Sequence, residues 1–299
     1  MTLQNLYAQV PSAFSAAEIA LDALIDLDTY PIHDIHHPKR KVLIDRCRQS
    51  LSETGCAHIP KFMQPVAINT MRAEVERLST EIRRSEDTVN AYFSEDDASL
   101  DATHPKRHFM SRRSSFINSD RLESQSLLRQ FYDSDVVVHF LSECLGVAPI
   151  YRWADPLARN PYSVMQEGDH FPWHFDGNEF TVSILVQQSE GGGDFEYCPN
   201  IRNPHDENFD GVADVLSGGR QPVHVLTLEP GDLQLFKGRY SLHSVTPIVG
   251  KTERIIALPT YVTDPYAVNR PHHSKTVYGE ALPIHFERES VIRADNLMD

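Results

Sequence analysis

The segment His170-Phe171-Pro172-Trp173-His174-Phe175-Asp176 is followed closely by Phe180-Thr181-Val182-Ser183-Ile184-Leu185-Val186-Gln187, and the reading of these two stretches decides the fold. In the second, Phe180, Val182, Ile184 and Val186 alternate with Thr181, Ser183, Leu185 and Gln187, which is a strand with one face in a core and the other partly polar. In the first, one residue separates His174 from Asp176, so on an extended backbone both side chains leave the same face and can grip one ion. A third ligand is available in His243, within Gly238-Arg239-Tyr240-Ser241-Leu242-His243. Two imidazoles and one carboxylate on one side of a metal leave the opposite positions open for chemistry. The chain has 15 histidines, so a lone His-x-Asp pair carries little weight; its place beside a strand, with the distal histidine on another, gives it meaning.

Outward from this centre the pattern continues as short strands. Gly191-Gly192-Gly193 turns into a strand over 194–197, strands resume at 223–228 and 233–236 around the turn Glu229-Pro230-Gly231-Asp232, and two more cover 241–246 and 254–262. Many short strands with Gly/Pro turns predict a two-sheet jelly roll. The polar segment 199–221 is too long for a hairpin and reads as an excursion near the site mouth. The first half is helical instead. A weak helix is expected over 15–27; Val42, Leu43, Cys47 and Leu51 recur at helical spacing until Gly55, and a short strand over 56–59 follows. Pro65 opens a helix to about residue 84, a third spans 122–145 with Gly146 as its stop, and 85–120 shows no clear period, its acidic piece Ser94-Glu-Asp-Asp97 reading as a solvated loop. The fold class is therefore α+β: a double-stranded β-helix (jelly-roll, cupin-like) core with N-terminal helices packed on one sheet. A single domain over 1–299 is expected, with a mainly helical part at 1–149, the catalytic core at 150–265 and a C-terminal extension at 266–299.

Arg254 lies eleven positions after His243, across the turn 248–253, so the next strand can bring its guanidinium back towards the metal. A planar fork of donors suits a terminal carboxylate. The set His174-x-Asp176, His243 and Arg254 resembles the Fe(II)/2-oxoglutarate-dependent dioxygenases. The flanks Trp173-His-Phe-Asp-x-x-Glu-Phe-Thr-Val-Ser-Ile-Leu185, Gly192-Gly-x-Phe-Glu-Tyr197 and Gly231-Asp-Leu-Gln-Leu-Phe-x-Gly-Arg-Tyr-Ser-Leu-His243 are similar to the branch containing free-amino-acid halogenases and their hydroxylase relatives, over roughly residues 150–262.

That resemblance implies Fe(II), 2-oxoglutarate as cosubstrate, O2, and release of succinate and CO2 with oxidation of a C–H bond. It also implies that Arg254 holds the distal carboxylate of 2-oxoglutarate. Ile256 stands where many relatives carry a serine, so a second donor is sought among Tyr162, Gln166 and Thr260. Trp173 and Phe175 are expected to keep water from the reacting centre. Halogenating members place a small residue at the position of Asp176 to admit chloride, so hydroxylation is expected here.

The formal charge of −14 disfavours a nucleic-acid polymer or an anionic membrane as partner and permits a cationic small molecule. The four cysteines have no Cys-x-x-Cys spacing, and the chain opens on no charged-then-apolar leader, so a cytoplasmic enzyme is expected. The substrate implied is a free, basic amino acid, with Asp155 or Glu179 as the partner of its ammonium. A nucleotide is the alternative, with Arg107, Arg112 and Arg113 as anion ligands. Local pairing with carboxylates is the plainer role for those arginines. A non-catalytic jelly-roll binding protein is the reading from another class, and it has no need of Arg254.

Overall fold

The alternation through Val182, Ile184 and Val186 becomes a strand in the computed structural model, which describes residues 21–290 and residue 297. In chain order the elements are α1 (Leu21–Leu24), α2 (Pro38–Thr54), β1 (Cys56–Ile59), α3 (Pro65–Arg77), β2 (Arg83–Val89), β3 (Met110–Ile117), α4 (Leu127–Asp133) and α5 (Asp135–Leu145). There follow β4 (Tyr151–Arg152), β5 (Tyr162–Met165), β6 (Phe171–His174), β7 (Thr181–Gln187), β8 (Phe195–Cys198), α6 (Phe209–Leu216), β9 (His224–Leu226), β10 (Leu233–Phe236), β11 (Leu242–Val245), β12 (Arg254–Ala257), β13 (Tyr261–Val262), α7 (Pro271–Tyr278) and α8 (Pro283–Glu287).

Strands β5 to β12 are shared between two antiparallel sheets. The large sheet has the order β1-β10-β7-β12-β5-β3-β2 and the small one β6-β11-β8-β9, the arrangement of a jelly roll. Strand parity gives the large sheet two unlike faces. On the outside, Tyr162, Val164, Val182, Ile184, Val186, Leu233, Leu235, Ile255 and Ala257 pack against Ile44, Cys47 and Leu51 of α2, Ile68, Met71 and Val75 of α3, and Phe140 and Leu141 of α5. On the inside, Ser163, Thr181, Ser183, Gln234 and Arg254 line a cavity together with Met165, Phe236 and Ile256. Burying nine apolar side chains of the sheet under helices is the main stabilising term, at about 1.5–3 kcal/mol for each large residue fully removed from water. Gly55 stops α2 in the left-handed region at φ 66°, where its N–H bonds the carbonyl of Leu51 and a Cβ would stand 2.9 Å from Ser241 Oγ.

Several expectations are corrected. The helix from Pro65 ends at Arg77, short of residue 84, and Arg83–Val89 is the edge strand β2, paired with β3 in the stretch that shows no clear period. Its sequence Arg-Arg-Ser-Glu-Asp-Thr-Val is polar on both faces because an edge strand stays soluble by carrying charge. The third helix is two, α4 and α5, divided at Ser134, whose Oγ accepts the N–H of Val137 as a cap while Asp135 opens the new first turn. The segment 199–221 contains α6, which buries Val212 and Val215 beside Phe175. Of the helix expected over 15–27, only Leu21–Leu24 is helical among the described residues; what precedes lies outside them.

Tyr162 shows what parity dictates. Its neighbour Ser163 faces the cavity, so Tyr162 faces the helices, where its hydroxyl donates to Glu74 Oε2 at 2.9 Å beside Ser126 Oγ at 2.8 Å. Tyr162→Phe is expected to lower stability by about 1 kcal/mol, the net worth of one hydrogen bond, in chemical denaturation. A changed Michaelis constant for 2-oxoglutarate without loss of stability would contradict this placement.

Candidate metal and cosubstrate site

His174 ends β6 and His243 stands directly opposite it on β11. Asp176 follows just beyond the strand, with its N–H on the carbonyl of Gly238 at 3.1 Å. The His174 and His243 Nε2 atoms lie 3.7 and 3.3 Å from Asp176 Oδ1, so the three ligand atoms converge on one point. Each imidazole is turned by its other nitrogen: Nδ1 of His174 donates to the carbonyl of Pro172 at 2.8 Å, and Nδ1 of His243 to that of Ser241 at 3.0 Å. That tautomer, assigned from the acceptors, leaves both Nε2 lone pairs for a metal. Thr181 Oγ1 donates to Asp176 Oδ2 at 2.5 Å, which directs Oδ1 to the centre.

The electrostatics match a divalent cation. Burial, with His243 alongside, lowers His174 to about 3, so it is neutral at any physiological pH. Burial works against ionisation of Asp176, but His243, His174 and the Thr181 hydroxyl outweigh it and hold the carboxyl well below the usual carboxylate range. Phe171 lies 5.4 Å from the His174 ring, and Phe195 and Phe236 lie 5.6 and 4.9 Å from that of His243, which walls the centre from water. Phe175 lines the cavity, whereas Trp173 is absent from its lining and packs against the cluster of Phe175 and Val212.

The cavity has a volume of about 200 Å³ and runs between the sheets. Arg254 lies on its wall with only 8% of its surface exposed, and no side chain or carbonyl among the described residues accepts a hydrogen bond from it. Burial lowers its pKa to about 10, with Asp194 acting in the other direction, so it remains a cation. Another buried arginine, Arg112, has both terminal guanidinium nitrogens engaged by Ser114, Ser85, Asp87 and the carbonyl of Thr276 at 2.7–3.0 Å. The contrast leaves Arg254 as a buried cation without a protein acceptor among the described residues.

Of the other residues expected at the site, Thr260 lines the cavity but lies beyond the opposite end of β12 from Arg254. Gln166 belongs to a separate hollow with Lys251 and Glu253. Asp155 is wholly buried: burial opposes its ionisation, but His285 and the N–H groups of Asn269 and Leu157 outweigh that and lower its pKa. Glu179 accepts from Thr263 Oγ1 at 3.0 Å. Arg107 pairs with Asp96 at 3.0 Å, Arg112 with Asp87 at 2.9 Å and Arg113 with Glu86 at 3.7 Å; none of the three lines the cavity. Parity with Arg254, Thr181 and the hydrophobic alternation could have located Ser163, Ser183 and Gln234. Trp153, Asn269, His273 and Tyr278, which also line the cavity, give no such signal in the sequence.

A jelly roll carrying this triad, with an unpaired arginine on its last core strand, is the arrangement of the Fe(II)/2-oxoglutarate oxygenases. The chain belongs to the halogenase D family, whose model matches residues 39–277. Among solved structures it is similar to the epimerase SnoN in complex with Fe3+, alpha ketoglutarate and nogalamycin RO, at 14% identity and TM-score 0.52 over 81% of this chain and 91% of that one. It is also similar to AviO1 from Streptomyces viridochromogenes, at 19% identity and TM-score 0.50 over 78% of this chain and 98% of that one. At these identities the likeness is one of fold. No curated protein matches the chain by sequence.

The site generates a prediction about Gly238. A Cβ there would fall 1.9 Å from Asp176 Oδ2, so Gly238→Ala must displace the carboxylate. Anaerobic Fe(II) titration of this variant is expected to show at least a tenfold loss of affinity with unchanged circular dichroism. Unchanged affinity would mean that Asp176 is not a ligand.

Proposed function

We propose that the protein is a hydroxylase that uses Fe(II), 2-oxoglutarate and O2 to oxidise a C–H bond of a small substrate of the free-amino-acid class. The observation that carries this reading is the desolvated, unpartnered guanidinium of Arg254 sharing one cavity with His174, Asp176 and His243. Fe(II) with 2-oxoglutarate, when bound, supplies the activation of O2, with succinate and CO2 as by-products. The protein's share is positional. His174, Asp176 and His243 hold the metal on one side, Arg254 takes the distal carboxylate in a charge-assisted fork, and the phenylalanines around the histidines exclude water. The chain acts as one catalytic domain, with the N-terminal helices supporting the outer face of the sheet that carries Arg254.

Hydroxylation is favoured over halogenation by Asp176, whose carboxylate occupies the position that a halide would need and is fixed there by Thr181. The side chain of the substrate is read as neutral. Asp176 is the only carboxylate among the described residues lining the cavity, and Asp155 and Glu179 are engaged elsewhere, so a side-chain ammonium, additional to the α-ammonium that every free amino acid carries, has no acidic partner there. Aromatic and aliphatic residues make up most of the wall and suit an apolar body.

Two outcomes test this reading. Arg254→Gln removes the charge and the fork, at about 1.5–3 kcal/mol per charge-assisted bond, so the Michaelis constant for 2-oxoglutarate is expected to rise at least tenfold in succinate assays. A lowered melting temperature with an unchanged constant would make Arg254 structural. Product mass spectra in chloride are expected to show an added oxygen for the wild type and little product of any kind for Asp176→Gly. Efficient chlorination by the wild type, or undiminished hydroxylation by the glycine variant, would remove the role assigned to Asp176.

A further inference from the structure

The cavity extends past the metal ligands, away from Arg254, into a compartment walled by Trp153, Thr260, Asn269 and Tyr278. Trp153 is 6% exposed and its indole Nε1 has no hydrogen-bond partner; the Nδ2 of Asn269 is likewise buried and unpartnered. An indole N–H can only donate, and so can an amide NH2, so the two groups share one unmet need, which is an acceptor oxygen.

Their backbone is held in advance. Asp155, two residues after Trp153, accepts the N–H groups of Leu157 and Ala158 on Oδ1, and that of Asn269 at 3.0 Å on Oδ2. His285 reaches the same Oδ2 at 3.1 Å; because its Nδ1 accepts the N–H of Leu282, the proton sits on Nε2 and faces the carboxylate. The buried carboxylate thus joins the segment after Trp153 to the segment that opens α7, and keeps both donors on one wall.

The mouth adds charge. A small hollow of about 90 Å³ shares Phe93, Asp176, Asn269 and His273 with the cavity and is lined further by Arg270, His272 and Arg202, the last paired with Glu207, so Arg270 is the cation there without a carboxylate of its own. The side chain of Arg270 has no hydrogen bond or ion pair among the described residues, and it stands on a protein whose formal charge is −14. A local cationic site on an acidic surface selects an anion.

We propose that this compartment binds the carboxylate of the substrate, with Trp153 Nε1 and Asn269 Nδ2 as hydrogen-bond donors and Arg270 as the charge at the mouth. The proposal rests on the oxygenase reading and names the substrate end that the second compartment recognises.

The test measures succinate formation against free amino acids and other small carboxylic acids, each paired with its carboxamide. The wild type is expected to prefer a responding acid to its amide by at least tenfold in kcat/KM. Trp153→Phe keeps the ring and loses the N–H, and is expected to raise KM for that acid at least tenfold with a smaller change in kcat; Trp153→His, which retains a ring N–H, recovers part of the loss. Arg270→Gln narrows the ratio of acid to amide. If Trp153→Phe does not fold, Asn269→Ala carries the same expectation. An unchanged KM in the Trp153 and Asn269 variants, or a preference for the amide, overturns the proposal. So does a wild type that binds Fe(II) and 2-oxoglutarate yet responds to no acid, and that result leaves the oxygenase reading standing. A wild type that fails to bind 2-oxoglutarate removes the oxygenase reading itself.

Discussion

The two unlike faces of the large sheet are the constraint on which the rest of the molecule depends. Along β5, β7, β10 and β12 one set of side chains is apolar and covered by helices, and the other set points between the sheets. A shift of register by one residue would send Arg254, Ser183 and Gln234 into the helix layer and leave Ile255 and Val182 in the cavity, so the core and the site are specified together. The helices contribute no ligand to the centre. Their role is to bury the outer face firmly enough that a cation without a protein partner can be kept on the inner one.

Charge within the cavity follows from that arrangement. Asp176 and Arg254 are the only acidic and guanidinium side chains among the described residues on its wall; Asp176 is held by Thr181 beside the two histidines, and Arg254 has no hydrogen-bond acceptor among the described residues. Elsewhere buried arginines are neutralised locally, Arg112 by Asp87 and Arg202 by Glu207, each at 2.9 Å, and buried Asp155 is hydrogen-bonded by His285 and by the N–H groups of Leu157, Ala158 and Asn269. A buried ion with its partner in place is structure, and one without is a binding site in search of its ligand.

How much of this was legible follows from the period of the pattern. Strands with one buried face announce themselves by alternation, and the His-x-Asp spacing, the distal His243 and Arg254 all ride on such strands, so the jelly roll and the geometry of the centre could be read from residues. The edge strand Arg83–Val89 could not, since its half-buried face carries Ser85 and Asp87, which bond Arg112, in place of apolar residues. The division at Ser134 is a cap within a continuous apolar pattern, and periodicity passes over it. Tyr162 is excluded as a cosubstrate donor by strand parity, because its neighbour Ser163 faces the cavity and the Tyr162 hydroxyl bonds Glu74. The substrate compartment was the least legible part, because Trp153, Asn269, His273 and Tyr278 come from turns and from α7, where no repeat marks which side chain faces inward.

His174, Asp176, His243 and Arg254 share one cavity, so metal and cosubstrate should bind there together. Anaerobic addition of Fe(II) and then 2-oxoglutarate, followed by visible absorption, tests this most directly. The account predicts a weak charge-transfer band that saturates at one metal per chain in the wild type and is absent from His243→Ala. Metal binding with no band on addition of 2-oxoglutarate, or an undiminished band in His243→Ala, would contradict it.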